Sequence, residues 1–399
     1  YWIFFTDKEP APRKKPLAPE PGYVSQEARA RRAVRGTHSA RWDDRPLSPR
    51  YLEQLRSIGV QPVVHTRWLN GISAYLEAGE IERVRAFRFV RAIRPVARLR
   101  TPPPIDEPSG KQNRRFGPRG TRLNYGPSRA QLAAINAISP LEDGYDGSGV
   151  VMGFLDTRFN FRHPAFGSLV AEDRLLSDSV FTGGLVERYG EENDNFHGLS
   201  VSSVALGNAP GELIGPARGA SVRAATTEYV PREVNQEEDL FVAGLEWLER
   251  QGVDLVNSSL GYTTFDEGER SYTYAEMDGE TAVTTRAADR AAQKGVVIVA
   301  SAGNAAGCGG PEAPNCWHYV GSPADGDSVI AVGAIDTDST RAFFSSFGPT
   351  FDDRIKPDVA APGVNVQAAT RGGYRDDFAG TSAAAPLVSG VVAQMLQAN

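Results

Sequence analysis

Three side chains that together could break an acyl bond lie far apart in this chain: Asp156, His197 and Ser382. Ser382 belongs to the stretch 380–386, Gly-Thr-Ser-Ala-Ala-Ala-Pro, whose alanines predict a helix, with Pro386 expected in the first turn. The N-terminus of a helix stabilises developing negative charge. A serine at this position is therefore well placed to act as a nucleophile.

Asp156 ends the apolar run 150–155, whose length is typical of a parallel strand buried on both faces. Active residues of open α/β sheets collect at the carboxyl ends of strands. His197 begins a short segment that reads as a helix ending at Gly207. Taken alone, each residue could be a helix cap or a loop residue. The order Asp, His, Ser instead indicates a triad in which histidine removes the serine proton and aspartate orients the histidine.

The stretches around these residues resemble those that carry the catalytic Asp, His and Ser of subtilisin-like serine peptidases (subtilases). Three more stretches resemble family segments: 257–261, which lines the substrate cleft, 301–304, which carries an oxyanion-hole asparagine, and 354–363, which precedes the nucleophile. The resemblance covers roughly residues 125–399. It implies a serine endopeptidase of the subtilisin fold that acts on polypeptides through an acyl-enzyme.

The resemblance also assigns roles beyond the triad. Asn304 would donate its side-chain amide to the oxyanion, with the Ser382 backbone N–H as second donor. The predicted substrate-binding residues, which would pair with extended substrate or leave room beside the scissile bond, are Ser259, Leu260, Gly261, Ala302 and Gly303. The small residues among them favour a broad apolar or mixed preference.

Three positions depart from the family pattern: Arg158, Leu199 and Ala383 stand where a glycine, a threonine and a large residue are usual. None of them removes a reacting group, so we expect effects on substrate preference and rate. They leave open the alternative of a catalytically silent scaffold or binding protein that has kept the fold.

Alternating apolar runs and helical segments predict an α/β fold with a doubly wound parallel sheet. The strands are expected near 150–155, 220–226, 253–258, 296–301 and 329–335, and the helices near 197–206, 237–250, 282–294 and 382–398.

Residues 1–100 read as strand, helix, two strands, helix, strand, which is the ferredoxin-like α+β order. Subtilase prodomains are similar in fold and position, which implies an intramolecular chaperone and inhibitor. Residues 101–124 would be a cleavable linker and 125–399 a C-terminally truncated catalytic domain.

The composition is that of a soluble globular protein, with 41% hydrophobic and 23% charged residues among 399, and no apolar stretch is long enough to span a membrane. Residues 1–125 hold 25 Lys+Arg and 12 Asp+Glu, whereas the remainder has a net charge of −19. This asymmetry favours two halves that bind each other. Nucleic-acid binding is the alternative, but the basic half contains no recognisable motif for it.

The cysteines, Cys308 and Cys316, lie in a loop after Asn304, and a disulfide there would suit a secreted or cell-surface protein. Two free thiols are the alternative, and a zinc site with His318 would lack a fourth ligand. The predicted chemistry requires no cofactor or metal. Subtilases often bind structural calcium, but no ligand loop for it is legible. The sequence therefore predicts a secreted serine endopeptidase made as a self-processing zymogen.

Overall fold

The computed structural model describes residues 1–8, 23–37, 40–96, 123–190, 195–266, 268–307 and 317–399. The N-terminal part contains β1 (Trp2–Phe5), α1 (Gln26–Val34), α2 (Pro49–Ser57), β2 (Pro62–Thr66), β3 (Gly71–Ala74), α3 (Ala78–Arg85) and β4 (Val90–Arg94). The larger part begins with α4 (Arg129–Ala134), α5 (Ile138–Glu142), β5 (Val151–Asp156), α6 (Gly167–Ala171), β6 (Leu175–Val180), α7 (Gly183–Tyr189), α8 (His197–Leu206), β7 (Asn208–Ala209), β8 (Leu213–Ile214) and β9 (Ser221–Thr226). It continues with α9 (Gln236–Arg250), β10 (Leu255–Ser258), α10 (Val283–Ala292), β11 (Val297–Ser301), β12 (Val329–Ile335), β13 (Val359–Pro362), β14 (Val366–Thr370), β15 (Gly373–Phe378) and α11 (Thr381–Ala398). Nearly all of the predicted linker lies outside the described residues.

The N-terminal part, which the sequence analysis predicts to be a prodomain and which keeps that name below, forms an antiparallel sheet in the order β2-β3-β1-β4. This is the ferredoxin-like arrangement that the element order predicts. Helix α2 begins as expected, because the Ser48 hydroxyl accepts a hydrogen bond from Tyr51 N at 3.4 Å and Pro49 is the first helical residue. The turn between β2 and β3 is longer than the predicted Asn70-Gly71 pair: it spans residues 67–70 and ends with Asn70 at φ 55°.

The two central strands of the prodomain sheet, β1 and β3, are buried on both faces, and successive side chains of each point to opposite sides. Ile3 and Phe5 pack into the prodomain's own core beneath its helices. Trp2 and Phe4 point the other way and share one apolar cluster with side chains of α9 and α10. The prodomain therefore covers two helices of the larger part.

The larger part is built on a seven-stranded parallel sheet in the order β13-β12-β11-β10-β5-β9-β6. Helices α8 and α11 pack on one face, where Met152 and Phe154 of β5 lie, and α9 and α10 pack on the other, where Leu155 lies. All five predicted strands and all four predicted helices are present. The α/β fold class is thus confirmed, with strands β6 and β13 and the β14–β15 hairpin added to the prediction.

The prodomain also meets the larger part, which is predicted to be catalytic and is called the catalytic part below, through charged groups. We call these groups the interface ion network. It joins Arg31, Arg32, Asp43 and Asp44 of the prodomain to Glu249 of α9 and to Lys294, which follows α10. Glu249 accepts hydrogen bonds from Arg31 and Arg32, and Lys294 Nζ lies 2.9 Å from Asp43 Oδ1 and 2.7 Å from Asp44 Oδ1. Burial alone would raise the pKa of Asp44, but the hydrogen bond from Arg32 and the Lys294 charge lower it overall. The two halves therefore meet through complementary charges as well as an apolar face.

Glu246 of α9 forms a second polar contact with the prodomain. Its carboxylate accepts hydrogen bonds from the Thr66 hydroxyl at 2.5 Å and from the backbone N–H groups of Arg67 and Trp68 at 3.3 and 3.1 Å. These donors lie at the end of β2 and in the turn that follows. One carboxylate thus fixes the turn of the prodomain sheet against the helix.

Candidate active site

Asp156 is the last residue of β5, at the centre of the sheet, and its side chain is fully buried. Its Oδ1 accepts a hydrogen bond from Thr157 N at 2.7 Å and lies 2.7 Å from Nδ1 of His197. A carboxylate can only accept, so His197 carries its proton on Nδ1 in this arrangement. In this tautomer Nε2 carries the ring lone pair, which is the one that can accept a proton from a substrate or a nucleophile.

His197 is the first residue of α8, and the backbone around it is held on both sides. Its own N–H donates to Asn195 Oδ1 at 2.8 Å, and Gly198 N donates to the Thr157 hydroxyl at 3.0 Å. The imidazole remains 27% exposed and meets the Phe378 ring edge-on at 5.8 Å. Strand end and helix start are therefore tied together, which fixes the imidazole against Asp156.

Ser382 is the second residue of α11, and the preceding Gly380 adopts φ +133°, which a residue with a side chain rarely does. The Ser382 hydroxyl donates to the carbonyl oxygen of Ser259 at 3.3 Å. Ser259 follows β10, the neighbour of β5, so Ser382 is anchored one strand away from Asp156. Phe378, which contacts His197, lies four residues before Ser382. The structure thus gathers Asp156, His197 and Ser382 at one edge of the sheet.

Pro386 corrects the sequence prediction, because it lies inside α11 and not in its first turn. Proline has no N–H, so the carbonyl oxygen four residues earlier, that of Ser382, receives no helical hydrogen bond. The Ser259 hydroxyl donates to that oxygen at 3.1 Å. Ser259 in turn accepts from Asn257 Nδ2 at 3.1 Å. A donor directly after β10 thus compensates for the proline and fixes the backbone of Ser382.

The Asn304 side chain is oriented by Thr381, a residue whose role the sequence analysis missed. Asn304 Oδ1 accepts from Thr381 N at 2.8 Å and from the Thr381 hydroxyl at 2.9 Å, and that hydroxyl accepts from Gly303 N at 3.1 Å. With its oxygen held in this way, Asn304 has both amide protons on Nδ2 available for other acceptors. The Ser382 N–H, at the second helical position, likewise has no acceptor within the helix. Thr381 stands directly before the serine, which is the one signal for it in the sequence.

The five predicted substrate-binding residues, together with Asn304 and Ser382, all line one cavity of about 180 Å³. The other lining residues are Thr263, Ser301, Ala305, Trp317, Tyr319, Gly321, Ser346 and Thr381. None of these described lining residues carries a charge. The sequence analysis did not identify the aromatic pair Trp317 and Tyr319 as part of this cavity. Both follow the stretch 308–316, which lies outside the described residues. That stretch contains Cys308 and Cys316, so the disulfide between them stays a prediction.

The three departures from the family pattern lie away from the reacting atoms. Leu199 and Ala383 are fully buried in the apolar core beside α8 and α11. The Arg158 guanidinium stacks 5.0 Å from the centre of the Phe196 ring. Each of these side chains therefore has a packing role that leaves the Asp156–His197 contact undisturbed.

A second carboxyl group, Glu228, lies close to Asp156 and is fully buried. Burial, helped by the charges of Glu233 and Asp156, raises the pKa of Glu228 to about 8 against the opposing hydrogen bond from the Tyr262 hydroxyl at 2.5 Å. Glu228 is accordingly protonated at neutral pH.

Within the described parts of the chain, no group of three or more His, Cys, Asp or Glu side chains is arranged to hold a metal ion. The calcium expectation therefore stays untested. Among the same residues, no helix combines the length and the apolar character needed to cross a bilayer.

Comparison with known proteins shows which protein family the chain resembles. The profile of the subtilase family (Peptidase S8) matches residues 147–399, and that of the Bacteroidota peptidase S8 propeptide domain matches residues 1–112. Subtilisin DY of Bacillus licheniformis is 32% identical over 267 residues, which cover 66% of this chain and 83% of that protein. Subtilisin NAT of Bacillus subtilis subsp. natto is 30% identical over 274 residues, or 68% of this chain and 60% of that protein. The solved structure of the prenylagaramide maturation protease PagA aligns with a TM-score of 0.48 and 22% identity over 65% of this chain and 79% of that one. With a propeptide domain preceding its peptidase domain, the chain belongs to the subtilase family of serine endopeptidases.

Proposed function

We propose that the chain is the zymogen of a secreted serine endopeptidase in which Ser382 is the nucleophile, His197 the general base and Asp156 the group that orients the imidazole. The observation that carries the proposal is the 2.7 Å contact between His197 Nδ1 and Asp156 Oδ1, at the sheet edge where Ser382 is anchored. A neutral hydroxyl is a weak nucleophile and needs such an adjacent base.

In the proposed reaction, the Ser382 hydroxyl turns from the Ser259 carbonyl towards His197 Nε2 and attacks the peptide carbonyl carbon. His197 takes the hydroxyl proton and passes it to the leaving amine, which gives a free amino terminus and an acyl-enzyme. Water then repeats the sequence, releases the carboxylic acid and restores the serine. All of the transferred protons pass through one imidazole, so protein groups suffice and no cofactor is required.

Asn304 and the Ser382 N–H are the proposed donors to the tetrahedral oxyanion. The oxygen of Asn304 is engaged by Thr381, which directs the amide nitrogen away from that contact. Donors that are fixed before the reaction stabilise the developing charge without reorganisation. The uncharged cavity beside Ser382 supports an apolar or mixed preference for the substrate side chain that enters it.

The proposed zymogen cuts itself within residues 101–124. The test is to express the wild type beside Ser382→Ala and to sequence the N-terminus of any product, with a fluorophosphonate probe applied after the prodomain is removed. The wild type should be cleaved and labelled, and Ser382→Ala should remain intact and unlabelled. Ser148→Ala, at an exposed position, is the matched control and should behave as the wild type. Labelling that persists in Ser382→Ala would assign the reactive serine elsewhere.

The catalytically silent alternative gains no support from the three departures, because their side chains pack away from the triad. Absence of labelling in the wild type after prodomain removal would nevertheless favour it. The proposed secretion predicts that Cys308 and Cys316 are joined in protein recovered from outside the cell. Peptide mapping without reduction checks this, and two free thiols would count against it.

A further inference from the structure

A cleft of about 980 Å³ opens where the prodomain sheet meets α10 of the catalytic part. Arginines line it from both sides: Arg41, Arg91 and Arg94 belong to the prodomain, and Arg286 and Arg290 belong to α10. We call it the arginine cleft. Neither the proposed reaction nor the interface ion network accounts for this accumulation of positive charge.

The carboxylates that line the cleft are largely engaged elsewhere. Asp43 pairs with Lys294 and also lies 3.2 Å from Arg290, and Asp289 accepts a hydrogen bond from Ser328 N at 2.8 Å. Glu280 is the remaining acidic residue among those that line it.

The guanidinium groups of Arg286 and Arg94, by contrast, form no hydrogen bond or ion pair with the residues that the structure describes. The Arg286 guanidinium lies 5.4 Å from the centre of the Phe4 ring, and that of Arg91 lies 5.9 Å from the same centre. Guanidinium groups from both parts of the chain thus approach one phenyl ring.

The positive charges act on one another across the cleft. The pKa of Arg286 is lowered to about 10, first because its side chain is buried and next because positive charges lie near it. Those charges belong, in decreasing order of effect, to Arg94, Arg91 and Arg290, whereas Glu280 offsets them in part. With a pKa of about 10, Arg286 still carries its charge at neutral pH, so it is repelled by the arginines of β4.

We propose that the arginine cleft binds a compact oxyanion, a phosphate or sulfate group, and that this anion ties the prodomain to the catalytic part. Among the lining residues that the structure describes, five arginines face three carboxylates, an excess of two positive charges that a dianion neutralises. The planar guanidinium fork matches the oxygens of phosphate, and aromatic faces such as that of Phe4 support guanidinium groups at such sites.

The site is complete only while the prodomain is in place, because three of its five arginines belong to the prodomain and two to α10. A ligand that binds the assembled chain and not its separated parts stabilises the assembly by mass action. Phosphate should therefore favour the covered, inactive form. The inference concerns a surface away from Ser382 and does not depend on the proposed triad.

The test titrates the full chain carrying Ser382→Ala with sodium phosphate in a calorimeter at constant ionic strength. One saturable site per chain is expected. Arg94→Ala and Arg286→Ala should each weaken phosphate binding by about tenfold or more, the usual effect of losing a charge-assisted hydrogen bond. Arg94 is exposed, so its variant serves even if the substitution at Arg286 impairs folding. The matched control is Arg85→Ala, which removes an exposed prodomain arginine paired with Glu82 and should leave binding unchanged.

A parallel titration with inorganic polyphosphate distinguishes a free ion from a phosphate group carried on a polymer. Tighter binding of polyphosphate, still lost in Arg94→Ala, would assign the polymer as the source. Equal affinity per site would assign the free ion. Absence of saturable binding by both, or equal binding in the wild type and in Arg94→Ala, would overturn the proposal.

Discussion

Removing the carboxylate of Glu249 should strongly destabilise the assembled chain. Glu249 lies one residue before the end of α9, and its side chain is 1% exposed. It accepts from Arg31 Nη2 and from Arg32 Nε, the latter at 3.0 Å. Glu249→Ala would leave two prodomain guanidinium groups buried without their shared anion.

The loss of stability in Glu249→Ala depends on which hydrogen-bond acceptors Arg31 and Arg32 keep. Breaking a buried pair by removing one partner costs about 3–5 kcal/mol. Here Arg32 keeps Asp44 at 2.7 and 2.9 Å, and Arg31 keeps the carbonyl oxygen of Val253 at 2.7 Å. The loss should therefore lie near the lower end, at about 3 kcal/mol, or a factor of roughly a hundred in the folded-to-unfolded ratio. Glu249→Gln keeps an acceptor at the same place and should lose less.

Urea unfolding of the full chain, followed by tryptophan fluorescence in a Ser382→Ala background, measures the loss. The matched control is Glu82→Ala, which removes the exposed partner of Arg85 at 2.7 Å and should cost less than about 1 kcal/mol. If Glu249→Ala and Glu82→Ala differed by less than about 1 kcal/mol, the buried network would not contribute as reasoned here.

Three further changes test the site and the buried acids. Thr381→Val should lower kcat at least about tenfold with little change in KM, because Asn304 loses the hydroxyl that orients it. Thr381→Ser keeps a hydroxyl and should restore most of kcat. A change confined to KM would contradict this role of Thr381. Asn304→Ala should lower turnover by about 10²–10³, the scale known for the equivalent donor of subtilisin, and an unchanged rate would remove Asn304 from the mechanism. Burial raises the pKa of Glu238 from its ordinary 4.5 to about 8, so the unfolded chain releases this proton first as pH rises. Stability should then fall by about 1.4 kcal/mol per pH unit for this group between about pH 5 and 8. Urea titrations across that range measure how the free energy of unfolding changes with pH. That dependence should be smaller by one proton in Glu238→Gln than in the wild type, and an identical dependence would refute the assignment.

Much of the sheet could be predicted because its central strands are continuous apolar runs, of which β5 is an example. The edge strand β6 could not, since its residues alternate between half-buried and exposed positions and form no such run. The position of Pro386 was predicted wrongly for a different reason. A proline inside a helix requires a compensating donor, and that donor is Ser259, which lies 123 residues before Ser382, whose carbonyl oxygen it contacts. Local sequence does not reveal such a partner.

Some residues of the candidate site could likewise be predicted from the local sequence, and others could not. Asp156 and His197 were identified because each lies at the end of an element that the sequence outlines. Thr381 was missed because its hydroxyl matters only through Asn304 and Gly303, which another strand brings to it. The charge asymmetry predicted complementary halves. It did not predict that Asp43 and Asp44 of the basic half would pair with Lys294 of the acidic half.

That reversed pairing bears on how the prodomain is recognised. The apolar face of Trp2 and Phe4 can supply binding energy to any partner of similar shape, since burial of apolar area is non-directional. The ion network adds little net energy, because desolvation offsets the attraction between the charges. A foreign prodomain without counterparts of Arg31 and Arg32 would, however, bury Glu249 unpaired and incur a cost of about 3 kcal/mol or more. The apolar face therefore accounts for the strength of the contact, and the network accounts for which prodomain can form it.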